Sequence, residues 1–404
     1  MRMETPTLIS GKKIANNQII EFINANASIL TRNVEEEEKN GRLSREVVSL
    51  LKEAGLFKLF LPRSLSGLEL DPLTTAKIVE QVSTCNTAAG WSLMVANTSV
   101  VMGGRLPERG IDEIFGSNPD SFIAGTVHPP MKATREKNGY SISGRNALVS
   151  NVHEAQWIFS SAIVMEGQQP KMTDGYPEIL GVFMKASDCE IVDTWHPLGM
   201  CATDSNDVEA KNVFVPDYLM FPFAPEFEPN RYYTGPLYRV PAAGANVAAL
   251  LAPVTLAIAN NAINELKTLA DKKTPLGSMV PIRDRGVIQR KLGRAKALVQ
   301  SSRMYLHETI RNCWSRVLAG EKILLEEKAA LLLANTHANQ SCVEAIEQMY
   351  TAAGTTGIYM RNKLAHYLTD AQVLRQHGFM NESRYETAGQ VYLGLPPDLP
   401  IIEF

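Results

Sequence analysis

Hydrophobic residues first recur along the chain with a helical period. Apolar residues stand at i, i+3, i+4 and i+7 after Ser44, which can cap the helix they predict. They are Val47, Leu50, Leu51 and Ala54. Residues 71–83 predict a second helix and residues 87–102 a third, whose near lack of charge indicates that it is buried. The acidic run 35–38 is typical of a solvated helix face.

Between residues 121 and 216 the pattern changes to short segments rich in β-branched and aromatic residues, separated by Gly, Asn, Asp or Pro. The segments are 140–149, 157–164, 179–183 and 208–215. Long helical patterns return from about 243 to 376, including 282–319 and 325–353, and are long enough to form a bundle. We therefore predict an α+β fold with an N-terminal helical domain (1–120), a middle β domain (121–225) and a C-terminal helical domain (226–404).

Composition narrows the class of ligand. A chain of 404 residues with 45% hydrophobic residues has material for more than one core, and a net charge of −3 argues against nucleic acid or an anionic membrane as partner. A small molecule is the expected substrate. Five scattered cysteines without a Cys-x-x-Cys pair, and histidines without metal-ligand spacing, argue against a disulfide framework and a metal site. With no secretory signal and no unbroken apolar span, we expect a cytoplasmic protein.

A stretch rich in small and polar residues interrupts the helical pattern near the end of the chain. Residues 352–357 read AAGTTG, and glycine there permits positive φ and close approach of the backbone to a bulky ligand. The segment is not a G-x-G-x-x-G fingerprint and follows a helix, which argues against a Rossmann unit. Farther on, His366, Asp370 and His377 are predicted to share one helix, with the two histidines on nearly one face.

The order of helical, β and helical parts, together with three motifs, resembles the acyl-CoA dehydrogenase superfamily over essentially the whole chain. The motifs are GYSISGRNALVSN, LGMCATDSNDVEAKNVFVP and QMYTAAGTTGIY. The resemblance implies an N-terminal helical domain, a middle β-barrel or sandwich and a C-terminal four-helix bundle. The segments TDSNDV, VFVP and TDAQVLRQH are most similar to the two-component, reduced-flavin-dependent monooxygenases, the group D hydroxylase branch.

One position separates the dehydrogenase and monooxygenase branches. Acyl-CoA dehydrogenases abstract a proton with a Glu about two helical turns after the Arg-Asp of their last long helix. Asp370 matches that Asp, but the residues RQHGFM that follow contain no carboxylate, and Glu386 lies too far along the chain. The monooxygenase branch has a His where His377 stands, and imidazole titrates in the range needed beside a flavin C4a-hydroperoxide. The resemblance implies that His377 is catalytic and that Ser150 is a second catalytic group, close to flavin N5.

The resemblance also implies flavin contacts at the end of a strand, in the loop before the last long strand and around the small-residue turn. These candidates are Asn151, Thr203, Ser205, Arg283, Ala353, Gly354, Thr355, Gly357 and His366. Asn151 stands where the family more often has Gly. Arg283 suits a flavin phosphate, although a surface arginine is the simpler interpretation. The remaining candidates also have structural interpretations as turn or packing residues.

Four residues are candidates for substrate contacts. Trp91 and Asn97 lie on the predicted buried helix, His128 lies in a loop at the start of the β domain, and Tyr232 lies in a connector rich in Pro and aromatic residues. Several aromatic hydroxylases have a substrate-contacting His near the position of that helix. None stands here, which argues against a phenol unless His128 replaces it.

The favoured hypothesis is a flavin-dependent monooxygenase that uses FMNH2 or FADH2 and O2, without a metal, to hydroxylate a small aromatic or heteroatom-containing substrate. As the resemblance implies, a separate NAD(P)H-dependent reductase would supply the reduced flavin, and the protein would be a homotetramer. Two alternatives stay open at this point. One is an acyl-CoA dehydrogenase with a displaced base, and the other is a binding protein that has lost its flavin.

Overall fold

A computed structural model describes residues 16–128, 130–173, 175–224, 227–241 and 247–403. Within these residues, the N-terminal part contains α1 (Asn16–Ala25), α2 (Ala27–Arg32), α3 (Val34–Asn40), α4 (Arg45–Glu53), α5 (Pro72–Cys85), α6 (Thr87–Val100) and α7 (Glu108–Phe115). The Ser44 side chain accepts a hydrogen bond from the Val47 N–H at 3.4 Å, which confirms the predicted N-cap of α4. Helix α6 is buried from Ala88 to Val100, as predicted.

The acidic run near the N-terminus is only partly a solvated face, because Glu37 is buried. Its Oε1 accepts a hydrogen bond from Ser44 N–H at 2.9 Å, and its Oε2 accepts one from Asn86 Nδ2 at 2.8 Å. Asn86 in turn caps α6 by accepting from Ala89 N–H at 3.0 Å. The prediction was therefore wrong for Glu37, whose carboxylate joins the start of α4 to the start of α6.

The middle part is a β region built on one nine-stranded sheet. The described strands are β1 (Ile123–Gly125), β2 (Met131–Glu136), β3 (Gly139–Val149), β4 (Trp157–Glu166), β5 (Gln169–Pro170), β6 (Met172–Thr173), β7 (Tyr176–Pro177), β8 (Ile179–Lys185), β9 (Glu190–Val192), β10 (Asn206–Pro216) and β11 (Met220–Pro222). The sheet runs β11-β8-β4-β2-β3-β10-β9, with β1 and β5 also paired to β4, while β6 and β7 form a separate ribbon. Strand β4 is parallel to β1 and β2.

The register of this sheet brings two polar turns together. Strands β3 and β10 are antiparallel, with Val149 opposite Asn206. The residues that follow β3 therefore lie beside the residues that precede β10. Ser150 and Asn151 belong to the first turn, and residues 203–205 belong to the second.

The C-terminal part contains α8 (Ala248–Leu250), α9 (Ala252–Ala270), α10 (Gly286–Leu318), α11 (Leu325–Ala353), α12 (Lys363–Leu374) and α13 (Arg384–Tyr392). Helix α9 packs against α10, α11 and α12, and also against α5. The limits of α11 agree with the prediction, whereas the predicted helix start near residue 243 lies outside the described residues. Arg303 Nε on α10 donates to Glu80 Oε1 on α5 at 2.9 Å, so the two helical parts are also joined by an ion pair.

Helix α12 ends at Leu374, so the prediction that His377 shares a helix with His366 was wrong. His377 N–H donates to the Leu374 carbonyl at 3.1 Å, a three-residue spacing that closes a turn and does not continue the α-helix. The carbonyls of Phe379 and Met380 accept hydrogen bonds from side chains of α11.

The α+β class and the helical, sheet, helical order are confirmed. The domain limits at residues 120 and 225 remain a prediction. In the part of the chain that the structure describes, no helix is long and apolar enough to cross a membrane.

Candidate active site

Trp91 connects three parts of the chain that are distant in sequence. Its indole N–H donates to the Ser150 hydroxyl at 3.0 Å, and its ring meets the His377 ring edge-on, with centroids 5.4 Å apart and planes at 75°. Trp91 lies on α6, Ser150 follows β3, and His377 follows α12. The structure thus brings together both predicted catalytic residues and one predicted substrate contact.

A chain of buried hydroxyl groups continues from Ser150. The Ser150 and Ser205 oxygens are 2.7 Å apart, and the Ser205 and Thr203 oxygens are also 2.7 Å apart. Thr203 Oγ1 donates to the Met200 carbonyl at 2.8 Å. Two of the predicted flavin contacts, Thr203 and Ser205, are therefore linked to Ser150 through hydrogen bonds.

Left-handed backbone shapes the turns that carry these hydroxyls. Asn151 has φ 58° and ψ 32°, and its N–H donates to the Thr203 carbonyl at 2.9 Å. Asp204, in the facing turn, has φ 52°. Asn and Asp tolerate this region better than other residues with a side chain, which explains why Asn can stand where Gly is commoner. The Asn151 side chain lies 2.5 Å from the Ser92 hydroxyl on α6.

His377 is held as a neutral imidazole. The Phe379 N–H donates to its Nδ1 at 3.3 Å, so the neutral ring carries its hydrogen on Nε2. Burial lowers the pKa of His377 to about 4, which keeps the ring uncharged at neutral pH. The residue can therefore donate a hydrogen bond at Nε2 without bringing a positive charge to the site.

A set of side chains on α11 fixes the turn that contains His377. Asn335 Nδ2 donates to the Phe379 carbonyl at 2.8 Å, and Asn339 Nδ2 and Gln340 Nε2 donate to the Met380 carbonyl at 3.3 and 2.9 Å. The two asparagines are fully buried. Their oxygens accept from Ala252 N–H at 3.0 Å and from the Thr255 hydroxyl at 2.7 Å on α9, so both amides are oriented from two sides. We call Asn335, Asn339 and Gln340 the α11 clamp.

The α11 clamp was missed in the sequence. The available signal was a pair of asparagines spaced i, i+4 within a predicted helix, a spacing that places both on one face. Buried amides need hydrogen-bond partners, so such a pair indicates backbone groups to be satisfied nearby. Nothing in the spacing alone identifies the turn after α12 as their partner.

Asp370 holds the loop that precedes β10. Its Oδ1 accepts from Met200 N–H at 2.7 Å, and Glu38 Oε2 accepts from the next N–H, of Cys201, at 3.1 Å. The backbone at Gly199 approaches α12 so closely that a Cβ there would lie 2.5 Å from Asp370 N. Burial, and then the charge of Glu38, raise the pKa of Asp370 to about 7.

This shift leads to a pH-dependent prediction. The folded pKa lies above the ordinary value of 3.8, so the contribution of Asp370 to stability is present at low pH and is lost as pH rises through about 7. Asp370→Asn keeps an acceptor for Met200 N–H and removes the buried charge. We expect the variant to have a free energy of unfolding higher than wild type by about 1–4 kcal/mol at pH 8 and by less at pH 5. Denaturant unfolding at both pH values measures this, and an equal effect at the two would contradict the assignment.

Two of the predicted substrate contacts make hydrogen bonds within the chain, and a third lies exposed in a loop. Asn97 Oδ1 accepts from Phe60 N–H at 3.0 Å, and its Nδ2 donates to the carbonyls of Leu56 and Leu93. Tyr232 donates its hydroxyl to Asp112 at 2.6 Å on α7. His128 is exposed in its loop. The hydrogen-bonding groups of Asn97 and Tyr232 are thus engaged within the chain, and the substrate contacts predicted for these two residues and for His128 remain predictions.

The remaining flavin candidates lie outside the hydroxyl chain. Arg283 is exposed and pairs with Asp271 at 2.9 Å. In a single copy of the chain it is therefore a surface arginine, which agrees with the simpler interpretation. His366 is half-buried on α12. With α12 ending at Leu374, helical spacing no longer relates His366 to His377.

The small-residue turn after α11 has the backbone that its glycine predicts. Gly354 adopts φ 57° and ψ −143°, a conformation that is strained for residues with a side chain. Lys273 Nζ donates to the Ala353 carbonyl at 2.5 Å and to the Thr356 hydroxyl at 2.7 Å. Thr355 is exposed and Gly357 is buried. Lys273 was missed because it lies far from the turn in sequence.

Comparison with known proteins places the fold in a family. Residues 18–112 match the family model "Acyl-CoA dehydrogenase, N-terminal domain", and residues 249–382 match "Acyl-CoA dehydrogenase, C-terminal domain". XiaF from Streptomyces sp., solved in complex with FADH2 and glycerol, superimposes with a TM-score of 0.88 at 22% identity, covering 95% of this chain and 97% of that one. The chain belongs to the acyl-CoA dehydrogenase superfamily.

Curated relatives indicate to which branch of the superfamily the chain is most similar. The chain is 29% identical over 365 residues to the indole-3-acetate monooxygenase of Pseudomonas putida, covering 89% of this chain and 90% of that protein. It is 22% identical over 365 residues to the flavin-dependent monooxygenase oxygenase subunit HsaA of Mycobacterium tuberculosis, covering 88% and 90%. Within the superfamily, the chain is a member of the flavin-dependent monooxygenases, which confirms the resemblance inferred from the motifs.

Proposed function

We propose that this protein is the oxygenase component of a two-component system that uses reduced flavin and O2 to hydroxylate a small aromatic substrate, at the site formed by Trp91, Ser150 and His377. The observation that carries the proposal is the meeting of these residues from three parts of the chain. Reduced flavin, when bound, would supply the electrons that activate O2. A separate NAD(P)H-dependent reductase would supply it, as the name "oxygenase component" of the resorcinol hydroxylase from Rhizobium sp. suggests.

The residues present suit a reduced flavin. Ser150 offers a buried oxygen and His377 offers a neutral N–H donor. The pair can therefore bind a ligand that has both hydrogen-bond donors and acceptors. Gly354 supplies a turn where backbone can approach a bulky group. Both FMNH2 and FADH2 meet these requirements. We assign His377 the donation and exchange of a proton at Nε2, and Ser150 the orientation of the flavin edge.

The site also favours an uncharged aromatic ring as substrate. Its five side chains, Trp91, Ser150, Thr203, Ser205 and His377, are all neutral, so they offer no cation to a phenolate. The indole face of Trp91 can pack against a flat ring. Relatives named for indole-3-acetate are in keeping with an indole-class ring. We therefore propose that the substrate is a neutral heteroaromatic ring and not a phenol.

The dehydrogenase alternative has no base in position. Glu386 is exposed on α13, and the turn at His377 contains no carboxylate. Catalysis without a metal, and a cytoplasmic location, stay predictions. Among the residues given above as described, no group of three or more His, Cys, Asp and Glu side chains could hold a metal ion.

Assembly into a homotetramer is part of the proposal. The residues after the small-residue turn, Ile358, Tyr359 and Met360, are 52–62% exposed, and Leu276 and Met279 are almost fully exposed on the loop that also carries Lys273. A run of exposed apolar residues indicates a covered surface. In the assembled protein a second copy would cover it, next to the flavin turn and Arg283. Light scattering of the purified protein tests this, and a monomer would contradict it.

A pair of glycine variants tests the flavin turn. Gly354→Ala places a side chain at φ 57°, whereas Gly293→Ala places one within helix α10, where an added Cβ meets no atom within 4 Å. We expect Gly354→Ala to weaken reduced-flavin binding by about 5- to 150-fold, since the strain is about 1–3 kcal/mol. Gly293→Ala should bind reduced flavin nearly as tightly as wild type does. Anaerobic titration with reduced FMN and FAD gives both values, and equal affinity of the two variants would contradict the role of the turn.

The overall proposal is tested by isotope labelling. Purified protein is supplied with reduced FMN or FAD, 18O2 and indole or indole-3-acetate, and the product is analysed by mass spectrometry. We expect one 18O atom in the product. Oxidised flavin with hydrogen peroxide serves as the control for free peroxide chemistry. Label-free product, or product that forms equally in the control, would refute the proposal.

A further inference from the structure

One amide of the α11 clamp has a second contact that decides which way it points. Gln340 Nε2 donates to the Met380 carbonyl at 2.9 Å, and Gln340 Oε1 accepts from Arg375 Nε at 3.2 Å. A guanidinium can only donate and a carbonyl can only accept, so the two contacts agree on one orientation of the amide. Turned through 180°, the amide would set its oxygen against the Met380 carbonyl.

Arg375 is itself held at the end of α12. Its Nη1 donates to Glu347 Oε1 at 3.2 Å, and the same oxygen accepts from Gln372 Nε2 at 2.8 Å. Gln340 and Glu347 are seven residues apart on α11, about two helical turns, and lie on nearly one face. The planar guanidinium has five donors and reaches both side chains, whereas a lysine has a single nitrogen to share between them.

The contact with Gln340 leads on to His377. Met380 N–H donates to the His377 carbonyl at 2.8 Å, so the residue whose carbonyl Gln340 binds also closes the His377 turn. Asn339 donates to the same carbonyl over a longer distance, 3.3 Å. Gln340 is therefore the closer of the two attachments that join Met380 to α11. The orientation of this amide in turn depends on Arg375.

We infer that Arg375 is a positioning residue for His377. It selects the one orientation of the Gln340 amide that binds the Met380 carbonyl. The inference rests on the proposed function and adds to it an ion pair that touches neither His377 nor its turn. Arg375 and Glu347 are 38% and 40% exposed, and a pair so open to water contributes little to stability by itself. Its contribution is to orient the clamp.

Arg375→Met is the main test. Methionine keeps an unbranched side chain but donates to neither Gln340 nor Glu347, so the amide is free to turn. We expect the coupling, defined as hydroxylated product per flavin oxidised, to fall about threefold, the effect of losing about one hydrogen bond. Reduced-flavin affinity should stay near that of wild type. Arg375→Lys keeps the charge but not the fork, and should lose nearly as much coupling.

Gln340→Met tests whether the effect passes through the clamp. Methionine has nearly the length of glutamine and binds neither Arg375 nor the Met380 carbonyl, so the coupling should fall at least as far as in Arg375→Met. Both changes break the same path. The double variant should therefore be no less coupled than Gln340→Met alone, whereas independent effects on general stability would add.

Hydrogen exchange supplies a readout that needs no flavin. In Arg375→Met, backbone amides of residues 374–381 should exchange at least about threefold faster, because the turn loses an attachment. Mass spectrometry of the flavin-free protein measures this. Arg316→Met is the matched control, since Arg316 also forms a partly exposed ion pair between α10 and α11, with Glu327 at 3.0 Å. It should change neither the exchange of these residues nor the coupling.

The outcomes separate the inference from the proposed function. Unchanged exchange in both Arg375→Met and Gln340→Met overturns the inference, as does faster exchange with unchanged coupling or wild-type coupling in Arg375→Lys. If wild type forms no hydroxylated product, the proposed function fails, and the exchange rates still decide whether Arg375 fixes the turn. If one of the two methionine variants does not fold, the other decides.

Discussion

His377→Asn is expected to lose at least about 100-fold in the rate of substrate hydroxylation, the usual contribution of a positioned proton donor. An Asn oxygen can replace Nδ1 as acceptor for the Phe379 N–H, 3.3 Å away in the wild type, so the turn is kept while the Nε2–H is lost. Reduced-flavin binding should change little. The flavin should still be oxidised, with hydrogen peroxide as the product in place of the hydroxylated ring.

Two comparisons make this prediction specific. His377→Gln places an amide near the Nε2 position and should retain more hydroxylation than His377→Asn. His307→Gln is the control, because His307 is another histidine whose pKa burial lowers to about 4, here on α10 with Lys77, Arg303 and Arg311 as its charged neighbours. The yields of hydroxylated product and of hydrogen peroxide per flavin oxidised measure how far each variant is uncoupled. If His377→Asn still formed one hydroxylated product for each flavin oxidised, the proposed role of His377 in the reaction would be wrong.

Asn335→Leu is expected to uncouple the reaction without touching flavin or substrate. The change leaves the Phe379 carbonyl and the Ala252 N–H without their buried partner, and the His377 turn loses one of its attachments to α11. We expect hydroxylation per flavin oxidised to fall about 10-fold, since a misplacement of about 1 Å costs up to 100-fold in rate. Reduced-flavin affinity should remain near that of wild type.

The control for the clamp is a second buried amide that binds a carbonyl elsewhere. Asn261 Nδ2 on α9 donates to the Thr84 carbonyl at 2.9 Å. Asn261→Leu should lower stability by a comparable amount, about 1–3 kcal/mol, and leave the coupling unchanged. If both variants uncouple equally, the effect is one of general stability and the α11 clamp has no special role in placing His377.

The fold and part of the site could be predicted because their signals are local. Helical and β periodicities gave the positions of α4, α6 and α11 and of the long strands. His377 and Ser150 stood out by matching motifs with stated chemistry. The structure adds that they meet at Trp91. Their roles in catalysis remain proposals that the variants above test.

The supporting contacts could not be predicted, because each depends on residues far apart in sequence. The α11 clamp binds carbonyls about 40 residues farther along the chain, and Asp370 binds an N–H 170 residues before it. Asn97 and Tyr232 show a further limit of sequence reasoning. Their chemistry suited a ligand, but backbone and side-chain groups nearby already use it.

The central claim, that this chain uses reduced flavin and O2 at the Trp91, Ser150 and His377 site, is tested most directly by rapid mixing. Anaerobic protein with reduced FMN or FAD is mixed with O2, and absorbance is followed without substrate. We predict a transient spectrum that belongs to neither reduced nor oxidised flavin, and a shorter lifetime for that transient in His377→Asn. Oxidation of the flavin in one phase, at the rate of free flavin and unaffected by His377→Asn, would contradict the account.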